Sequence, residues 1–428
     1  MVYTPVAVIE VRAWDRTVGA LVADPASGSY AFEYDPGWIA SGIELSPLST
    51  PLGERVRVYP GLPEATYHRL PPFVADALPD DFGNALVTAY LASQGVERSA
   101  ITALDRLGYL GSRGMGALEF RPTRGPQRRR PTALELSELV TGARSALSGR
   151  IEGDRESAAA LANLIQVGTS AGGARAKAII AWNPSTDEIR SGQLPSEAGF
   201  EQWMIKLDGV GRDAELGSSA GYGRIEYAYY LMATAAGIEM SPSRLLEENG
   251  RAHFMTKRFD RAPDGRKIHL QTLCAVAELD YKQRGTHDYA QYFQVIGALG
   301  LGDAALTEAF RRMVFNVLAR NCDDHTKNFS FLLDPEGGGW RLAPGYDITY
   351  AYNPQGQWTY QHLMSVNGEF AGITRADLLA VADRFQVPGR FEVISAVEDA
   401  LSGWGEFAAQ AGLSGEDAER IRSEFPSL

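Results

Sequence analysis

Asn321-Cys322-Asp323-Asp324-His325-Thr326-Lys327-Asn328 is the stretch on which the reading of this chain turns, together with Tyr346-Asp347-Ile348-Thr349. Asp323 and Asn328 stand in a D-x-x-x-x-N spacing. A phosphoryl-transfer loop uses that spacing to place an Asp that accepts a hydroxyl proton and an Asn that holds Mg²⁺. Taken alone, the octet reads more readily as helix caps at Asp323 and Asp324 and a turn at Asn328. The next fifteen residues decide the matter. Phe329-Ser330-Phe331-Leu332-Leu333 has the composition of a strand, Asp334-Pro335-Glu336-Gly337-Gly338-Gly339 of a turn, and Trp340-Arg341-Leu342-Ala343 of a returning strand. A hairpin brings its two ends back to one place, and Asp347 comes straight after it. Three oxygen-bearing side chains then converge, the donor type that hard Mg²⁺ ions and their phosphate partners take.

Composition bounds the rest. The 428 residues allow two or three domains, and 45% hydrophobic with 22% charged residues is ordinary for a globular protein. The net charge of −12 argues against a chain that grips nucleic acid over a broad face. Two distant cysteines, Cys274 and Cys322, make no disulfide framework and fit a reducing compartment. The six histidines show no zinc spacing. Neither a leader segment nor an apolar run of membrane-spanning length is recognisable, so the expectation is a cytoplasmic protein without a membrane partner.

Four regions are expected. Residues 1–121 read as a β-rich accessory domain. Strand patterns fall at Val6-Ala7-Val8-Ile9-Glu10-Val11, Thr17-Val18-Gly19-Ala20-Leu21-Val22 and Tyr30-Ala31-Phe32-Glu33-Tyr34, and two short helices are broken at Pro79. Residues 122–131, with Arg128, Arg129 and Arg130 between prolines, read as a solvated linker or a local phosphate contact. Thr132 with Glu135 then opens a helix as a capping box. Residues 132–260 read as a nucleotide-binding lobe, and 261–428 as a mainly helical catalytic lobe. In the latter, Leu306, Phe310, Met313, Val314, Val317 and Leu318 form one helical stripe of core leading into the loop.

A kinase reading makes demands on the middle lobe. The small, Gly-rich run from Gly168 to Lys177 offers Gly172, Gly173 and Ala174, whose backbone N–H groups can approach phosphate oxygens; a tight hairpin turn explains it as simply. Gln202-Trp203-Met204-Ile205-Lys206-Leu207 alternates like a strand. Lys206 stands where a phosphate-holding lysine belongs, although an isolated lysine there is more often a surface residue. Glu226, on the helix expected from 223 to 236, is the candidate to orient that lysine, and Gly237 closes the helix. His253-Phe254-Met255-Thr256-Lys257-Arg258-Phe259-Asp260-Arg261 reads as a strand crossing between lobes, or as a strand end closed by an Arg–Asp pair.

These residues resemble the HipA-type serine/threonine kinases of bacterial type II toxin–antitoxin systems. The likeness rests on Phe32-Glu33-Tyr34-Asp35, Leu45-Ser46-Pro47-Leu48, the Phe73 to Gly83 segment, Lys257-Arg258-Phe259-Asp260-Arg261, the D-D-H-T-K-N loop and Tyr346-Asp347, in that order. The resemblance implies an α+β, two-lobed protein-kinase-like fold with a β-rich N-terminal accessory domain and a helical C-terminal lobe. It implies ATP and Mg²⁺ as cofactors, with Asp323 as catalytic base and Asn328 and Asp347 holding metal. Lys177 and Lys206 would meet ATP phosphates and His325 would line the nucleotide site. Lys257 and Phe259 would offer backbone groups to adenine, and Asp260 a carboxylate to ribose. It also implies a helix-turn-helix (HipB-like) antitoxin partner, contact with DNA mainly through that partner, an aminoacyl-tRNA synthetase as target, and autophosphorylation at Ser170 or its neighbour Thr169. Arg175-Ala176 stands where the family's commonest loop has Gln-Glu, and Lys257 where its hinge has Glu. Two other functions fit the same residues. One is an idle co-repressor module bridging the antitoxin on DNA; the other is a small-molecule phosphotransferase.

Overall fold

The computed structural model describes residues 3–24, 28–79, 81–125, 136–148, 176–192, 198–210, 212–213, 217–218, 221–335 and 338–427. Its fold is mixed α+β, with a β-rich N-terminal region and a helical C-terminal part. Two compact units divide the chain. One holds Met1–Gly211, Lys257–Gln271 and Leu332–Gly339; the other holds Arg212–Thr256, Thr272–Phe331 and Trp340–Leu428. Each unit is assembled from segments far apart in the chain.

In the first unit, strands β1 (Val8–Ala13), β2 (Arg16–Asp24), β3 (Ser29–Tyr34) and β4 (Leu118–Arg121) form an antiparallel sheet in the order β3-β2-β1-β4. Alternation does the sorting: Ile9, Val11 and Ala13 are buried, while Val8 between them and the chain start is exposed. Helices α1 (Pro72–Ala75) and α2 (Asp81–Ser93) lie on either side of Pro79, as the prolines at 71, 72 and 79 dictate. Helix α3 (Ala103–Leu110) starts at a capping box between Thr102 and Asp105. Asp105 also accepts the Val6 N–H at 2.9 Å, tying the first strand's approach to the helix. Helix α4 (Leu136–Ser148) comes next; the capping box expected at 132–135 lies outside the described residues.

Strand β5 (Lys177–Trp182) is buried along its whole length, between β6 (Ile189–Ser191) and β7 (Glu201–Lys206). A strand covered on both faces reads as a continuous apolar run, which Ala178-Ile179-Ile180-Ala181-Trp182 supplies. The β5–β7 register sets Lys177 directly opposite Lys206.

The second unit is built on α5 (Tyr222–Ala235), the hairpin β8 (Ser243–Glu248) and β9 (Arg251–Lys257), α6 (Tyr289–Ala298) and α7 (Gly302–Leu318). Lys257, the last residue of β9, is counted with the first unit. Gly223 lies so close to β9 that a Cβ would overlap the Ala252 carbonyl, which fixes glycine there. Gly237, at φ +83°, ends α5: its N–H reaches Thr234 O and that of Ile238 reaches Ala233 O. Phe310, Met313, Val314, Val317 and Leu318 of α7 are buried in one core, with Leu306 packed at its margin. Helices α8 (Arg375–Arg384), α9 (Arg390–Ser402), α10 (Trp404–Gln410) and α11 (Gly415–Ser423) close over that core, with Trp404 edge-on to Tyr229. Thr374 and Ser414 cap α8 and α11, their side chains accepting the Asp377 and Asp417 N–H groups.

Candidate active site

Helix α7 ends at Leu318, and the chain turns sharply through Arg320 at φ +53°. The Tyr229 hydroxyl donates to Ala319 O at 2.6 Å and holds that turn. The loop beyond Arg320 is irregular, so its backbone groups need partners elsewhere. Cys322 N–H bonds to Ala351 O, and Ala351 N–H to Arg320 O, so the segment after Asp347 runs beside the loop.

The two adjacent aspartates have opposite fates. Asp324 is fully buried. Its Oδ1 accepts the Leu363 N–H at 2.8 Å, and its Oδ2 accepts the Tyr289 hydroxyl at 2.8 Å and His362 Nδ1–H at 2.9 Å. A chain of donors leads into it: Asn321 Nδ2 to Asn316 Oδ1, Asn316 Nδ2 to Tyr289 Oη, then Tyr289 to Asp324. Burial alone would push His362 down, but the Asp324 carboxylate more than reverses this and, with the Cys322 sulfur 3.8 Å away, holds it up at about 10. With its neighbour locked inside, Asp323 is turned outward, its side chain half exposed.

Asn328 closes a 3₁₀ turn at Thr326–Asn328, and its Nδ2 donates to Asp323 O at 2.7 Å. That bond orients the amide with its oxygen as the remaining acceptor. The expected hairpin forms, with β10 (Ser330–Leu333) and β11 (Trp340–Leu342), and Ala343 N–H bonds back to Ser330 O. Beyond it the Tyr346 hydroxyl donates to Lys327 O at 2.7 Å and meets Ser330 Oγ. Tyr346, the residue before Asp347, is thereby tied to the Asn328 end of the loop. Asp347 sits at φ +52°, in the left-handed region that aspartate enters more readily than most non-glycine residues. Gly345 N–H bonds to Glu239 O, pinning the other side. His325 Nε2 lies 4.0 Å from Asp323 Oδ1, and its ring faces Tyr281 at 5.4 Å. His325 Nδ1 is buried and takes no hydrogen bond among the described residues.

Asp323, His325, Asn328 and Asp347 all belong to the second unit, where Glu226 also lies, buried on α5. Asp323, Asn328 and Asp347 present oxygen donors, the type Mg²⁺ accepts. Two carboxylates and an amide suit an ion that keeps waters and phosphate oxygens as its other ligands. Among the described residues no group of three or more His, Cys, Asp or Glu side chains is arranged to hold a metal ion.

Lys177, Lys206, Lys257, Phe259 and Asp260 belong to the first unit. Lys177, almost wholly buried, and the half-buried Lys206 face each other across β5 and β7. Lys257 Nζ pairs with Glu201 Oε1 at 2.8 Å. Arg258 N–H bonds to Gln202 O, while the β8 ladder ends at Thr256, one residue short of Lys257. Gly172, Gly173, Ala174, Thr169 and Ser170 lie outside the described residues.

Asp260 requires a correction. A carboxylate reaching a ribose must have an open face, and Asp260 is completely buried. Arg258 grips it in a fork, Nε to Oδ1 at 2.8 Å and Nη2 to Oδ2 at 2.7 Å. Arg261 Nη1 and the Gly116 N–H also donate to Oδ2, at 2.8 and 2.7 Å. Burial works to raise its pKa, but the two guanidinium groups overcome this and hold it far below the usual carboxylate range. The Arg–Asp closure is the reading that the geometry supports. Its partners extend it: Arg261 also donates to Gly114 O, and Lys267 Nζ to Ser112 O and Glu119. The R-F-D-R motif thus fastens residues 257–267 to residues 112–119.

The sequence reading missed Asp324 as an anchor and missed His362, Tyr289 and Asn316 altogether. The one local signal was a second acidic residue beside Asp323; its partners come from 35, 38 and 39 residues away.

Comparison with known proteins adds to this geometry. Residues 169–421 match the HipA-like C-terminal domain, and residues 9–121 the HipA N-terminal domain. Two Sinorhizobium fredii proteins whose names propose a kinase are similar: Y4mE is 29% identical over 28% of this chain, and Y4dM 24% identical over 55%. The matches span 31% and 59% of those relatives' lengths. Among solved structures, the HipA chain from a Shewanella oneidensis complex of HipA, HipB and operator DNA superposes with a TM-score of 0.65. It is 17% identical, with 97% of this chain and 94% of that one covered, a likeness of fold.

Proposed function

We propose that this chain, which belongs to the HipA family, is an ATP- and Mg²⁺-dependent serine/threonine protein kinase acting as the toxin of a toxin–antitoxin pair. The observation that carries the reading is the Tyr346 hydroxyl bridging to Lys327 O and Ser330. It supports a single site in which Asp323, Asn328 and Asp347 act together.

In this reading Asn328 and Asp347 would hold Mg²⁺, which when bound draws negative charge from the transferring phosphoryl group. Asp323 takes the proton of the acceptor hydroxyl at its outward-facing carboxylate. Its exposure suits a group that must meet a macromolecular acceptor. Asn328, bonded to the Asp323 carbonyl, keeps base and metal ligand in fixed relation. By the family resemblance, Lys177 and Lys206, cross-strand partners on β5 and β7, are the candidates for the phosphate end of the nucleotide. His325, with its unsatisfied Nδ1, lines the nucleotide site. Asp260, held in the buried arginine clasp, is left out of the nucleotide contacts in this reading.

The remainder of the proposal rests on the family. The target is an aminoacyl-tRNA synthetase, the partner a helix-turn-helix antitoxin through which DNA is reached, and the compartment the cytoplasm. A loop hydroxyl, Ser170 or Thr169, is the self-silencing site. The net charge of −12 supports leaving DNA contact to the antitoxin. The test is labelling of a bacterial lysate with γ-labelled ATP and Mg²⁺ by wild-type protein and by Asp323→Ala. A lysate protein labelled by the wild type alone is the expected result and identifies the target. Equal labelling by both removes Asp323 from its role.

A further inference from the structure

The bonds that bury Asp324 close into a ring. Its Oδ2 accepts His362 Nδ1–H at 2.9 Å. A little further along the chain, Ser365 Oγ donates to Asp288 Oδ2 at 2.6 Å. Asp288 is the N-cap of α6, its Oδ1 accepting the Ala290 N–H at 2.7 Å. Tyr289, the first residue of that helix, returns to Asp324 Oδ2 through its hydroxyl at 2.8 Å. Further bonds brace the ring: His287 and Asp288 pair in parallel with Met364 and Ser365, the Gly368 N–H reaches Asp288 Oδ2, and the His362 N–H reaches Phe370 O.

A branch of the ring grips the other side of Asp323. Tyr289 Oη accepts from Asn316 Nδ2 at 3.0 Å. Asn316 in turn accepts twice from Asn321, side-chain amide to Oδ1 at 2.9 Å and backbone N–H to O at 3.0 Å. Asn321 and Asp324 therefore lead to one tyrosine hydroxyl, and only Cys322 and Asp323 stand between them. Cys322 is buried, with its N–H on Ala351 O and its sulfur 3.8 Å from His362 Nε2. Tyr289, Asn316, Asn321, Asp324 and His362 are buried too. Rotating any of these side chains strands a buried polar group, so the network has one low-energy arrangement. It fixes the backbone on both sides of the half-exposed Asp323.

We infer that His362 is a positioning residue of phosphoryl transfer: by holding Asp324 inward it sets the direction in which Asp323 presents its carboxylate to the acceptor hydroxyl. This rests on the kinase reading, in which Asp323 is the base. A base must lie within hydrogen-bond reach of the proton it takes, and a misplacement of about 1 Å can lower a rate about a hundredfold. A buried ion pair adds little net stability over apolar packing, so what this one contributes is geometry. Of the two side chains that donate to Asp324, His362 is the one that comes from beyond Asp347. It therefore also ties the chain leaving Asp347 back to the residue next to the base.

The test measures the initial rate of labelling of bacterial lysate proteins by the full chain with γ-labelled ATP and Mg²⁺, at saturating and at limiting ATP. His362→Leu keeps bulk and removes the donor. His362→Asn places an amide N–H where Nδ1–H stood. Both are assayed at a temperature where circular dichroism shows them folded. His362→Leu is expected to lower the saturated rate about a hundredfold, with the ATP concentration for half-rate within about threefold of wild type. His362→Asn is expected to recover the rate to within about fivefold of wild type. Added to Asp323→Asn, His362→Leu should lower the residual rate by no more than about twofold, because it acts through a group already removed. A loss of structure alone would lower both backgrounds equally. Should His362→Leu not fold, Tyr289→Phe carries the same cycle, removing a bond to Asp324 with almost no change of volume. A wild-type rate in His362→Leu, an equal loss in His362→Asn, or an undiminished loss in the Asp323→Asn background overturns the positioning role and leaves the kinase reading standing. A wild type that labels no protein hydroxyl overturns the kinase reading, and the positioning role falls with it.

Discussion

Replacing Asp324 by alanine should lower stability by about 3–5 kcal/mol, whereas the same change at Asp323 should lie within about 0.5 kcal/mol of wild type. The contrast comes from burial and partners alone. Asp324→Ala leaves the Leu363 N–H, the Tyr289 hydroxyl and His362 without their acceptor in a buried site. Each stranded polar group costs about 1–3 kcal/mol, and rescue by water brings the total toward the lower end. Asp323 is half exposed, and alanine retains the carbonyl that accepts the Asn328 bond. The assay is urea denaturation monitored by tryptophan fluorescence, with Trp404 in the helical core as reporter; midpoints are compared for that transition because two compact units need not unfold together. The pH dependence adds a second check. His362 is held at about 10 in the fold, against about 6.5 when unfolded, so the folded chain binds the extra proton between those values. The stability this supplies is complete below about pH 6.5 and is lost as pH rises toward 10, so the gap between wild type and Asp324→Ala should narrow over that range. Equal, small losses at both aspartates, or a gap independent of pH, would refute the argument.

Three further outcomes are expected. Asp260→Ala strands two guanidinium groups and should cost about 3–5 kcal/mol, with faster proteolysis at residues 112–119; intact proteolytic resistance would remove the clasp. His269, pushed down by burial to about 4 and donating to Leu45 O, is neutral in the fold; its contribution is present above about pH 6.5 and fades as pH falls toward 4, so His269→Gln should flatten the acid limb of a stability–pH profile between those values. Gly223→Ala forces a Cβ against the Ala252 carbonyl and should lower stability by about 1–3 kcal/mol in a thermal melt, a neutral result meaning that α5 can shift away from β9.

How much of this was legible beforehand depended on the range of the interaction. The stripe on α7, the strand–turn–strand after the loop and the end of α5 at Gly237 are local patterns with a period or a φ requirement, and they were readable. The D-x-x-x-x-N spacing was also readable, since Asn328 bonds back to Asp323 within one turn. Asp260 was not. Beside two arginines it reads as a ligand or as a salt bridge, and only the Gly116 N–H, 144 residues away, decides for the buried clasp. His362 lies in a stretch of sequence with no pattern of its own, and its role exists only through Asp324. The division of the chain into units was hidden for the same reason: residues 257–271 join the N-terminal unit through contacts that no local composition reports.

The central claim is that Asp323, Asn328 and Asp347 form one phosphoryl-transfer site. Its most direct measurement is the rate of γ-phosphoryl transfer from ATP to protein serine or threonine by wild type and Asp323→Asn, with nucleotide affinity determined on the same samples. The expected result is a rate lower by about 10²–10⁴-fold in the variant and a nucleotide affinity within about threefold of wild type. A variant that transfers phosphate as fast as the wild type, or a wild type that binds ATP and Mg²⁺ yet transfers to no protein hydroxyl, would contradict it.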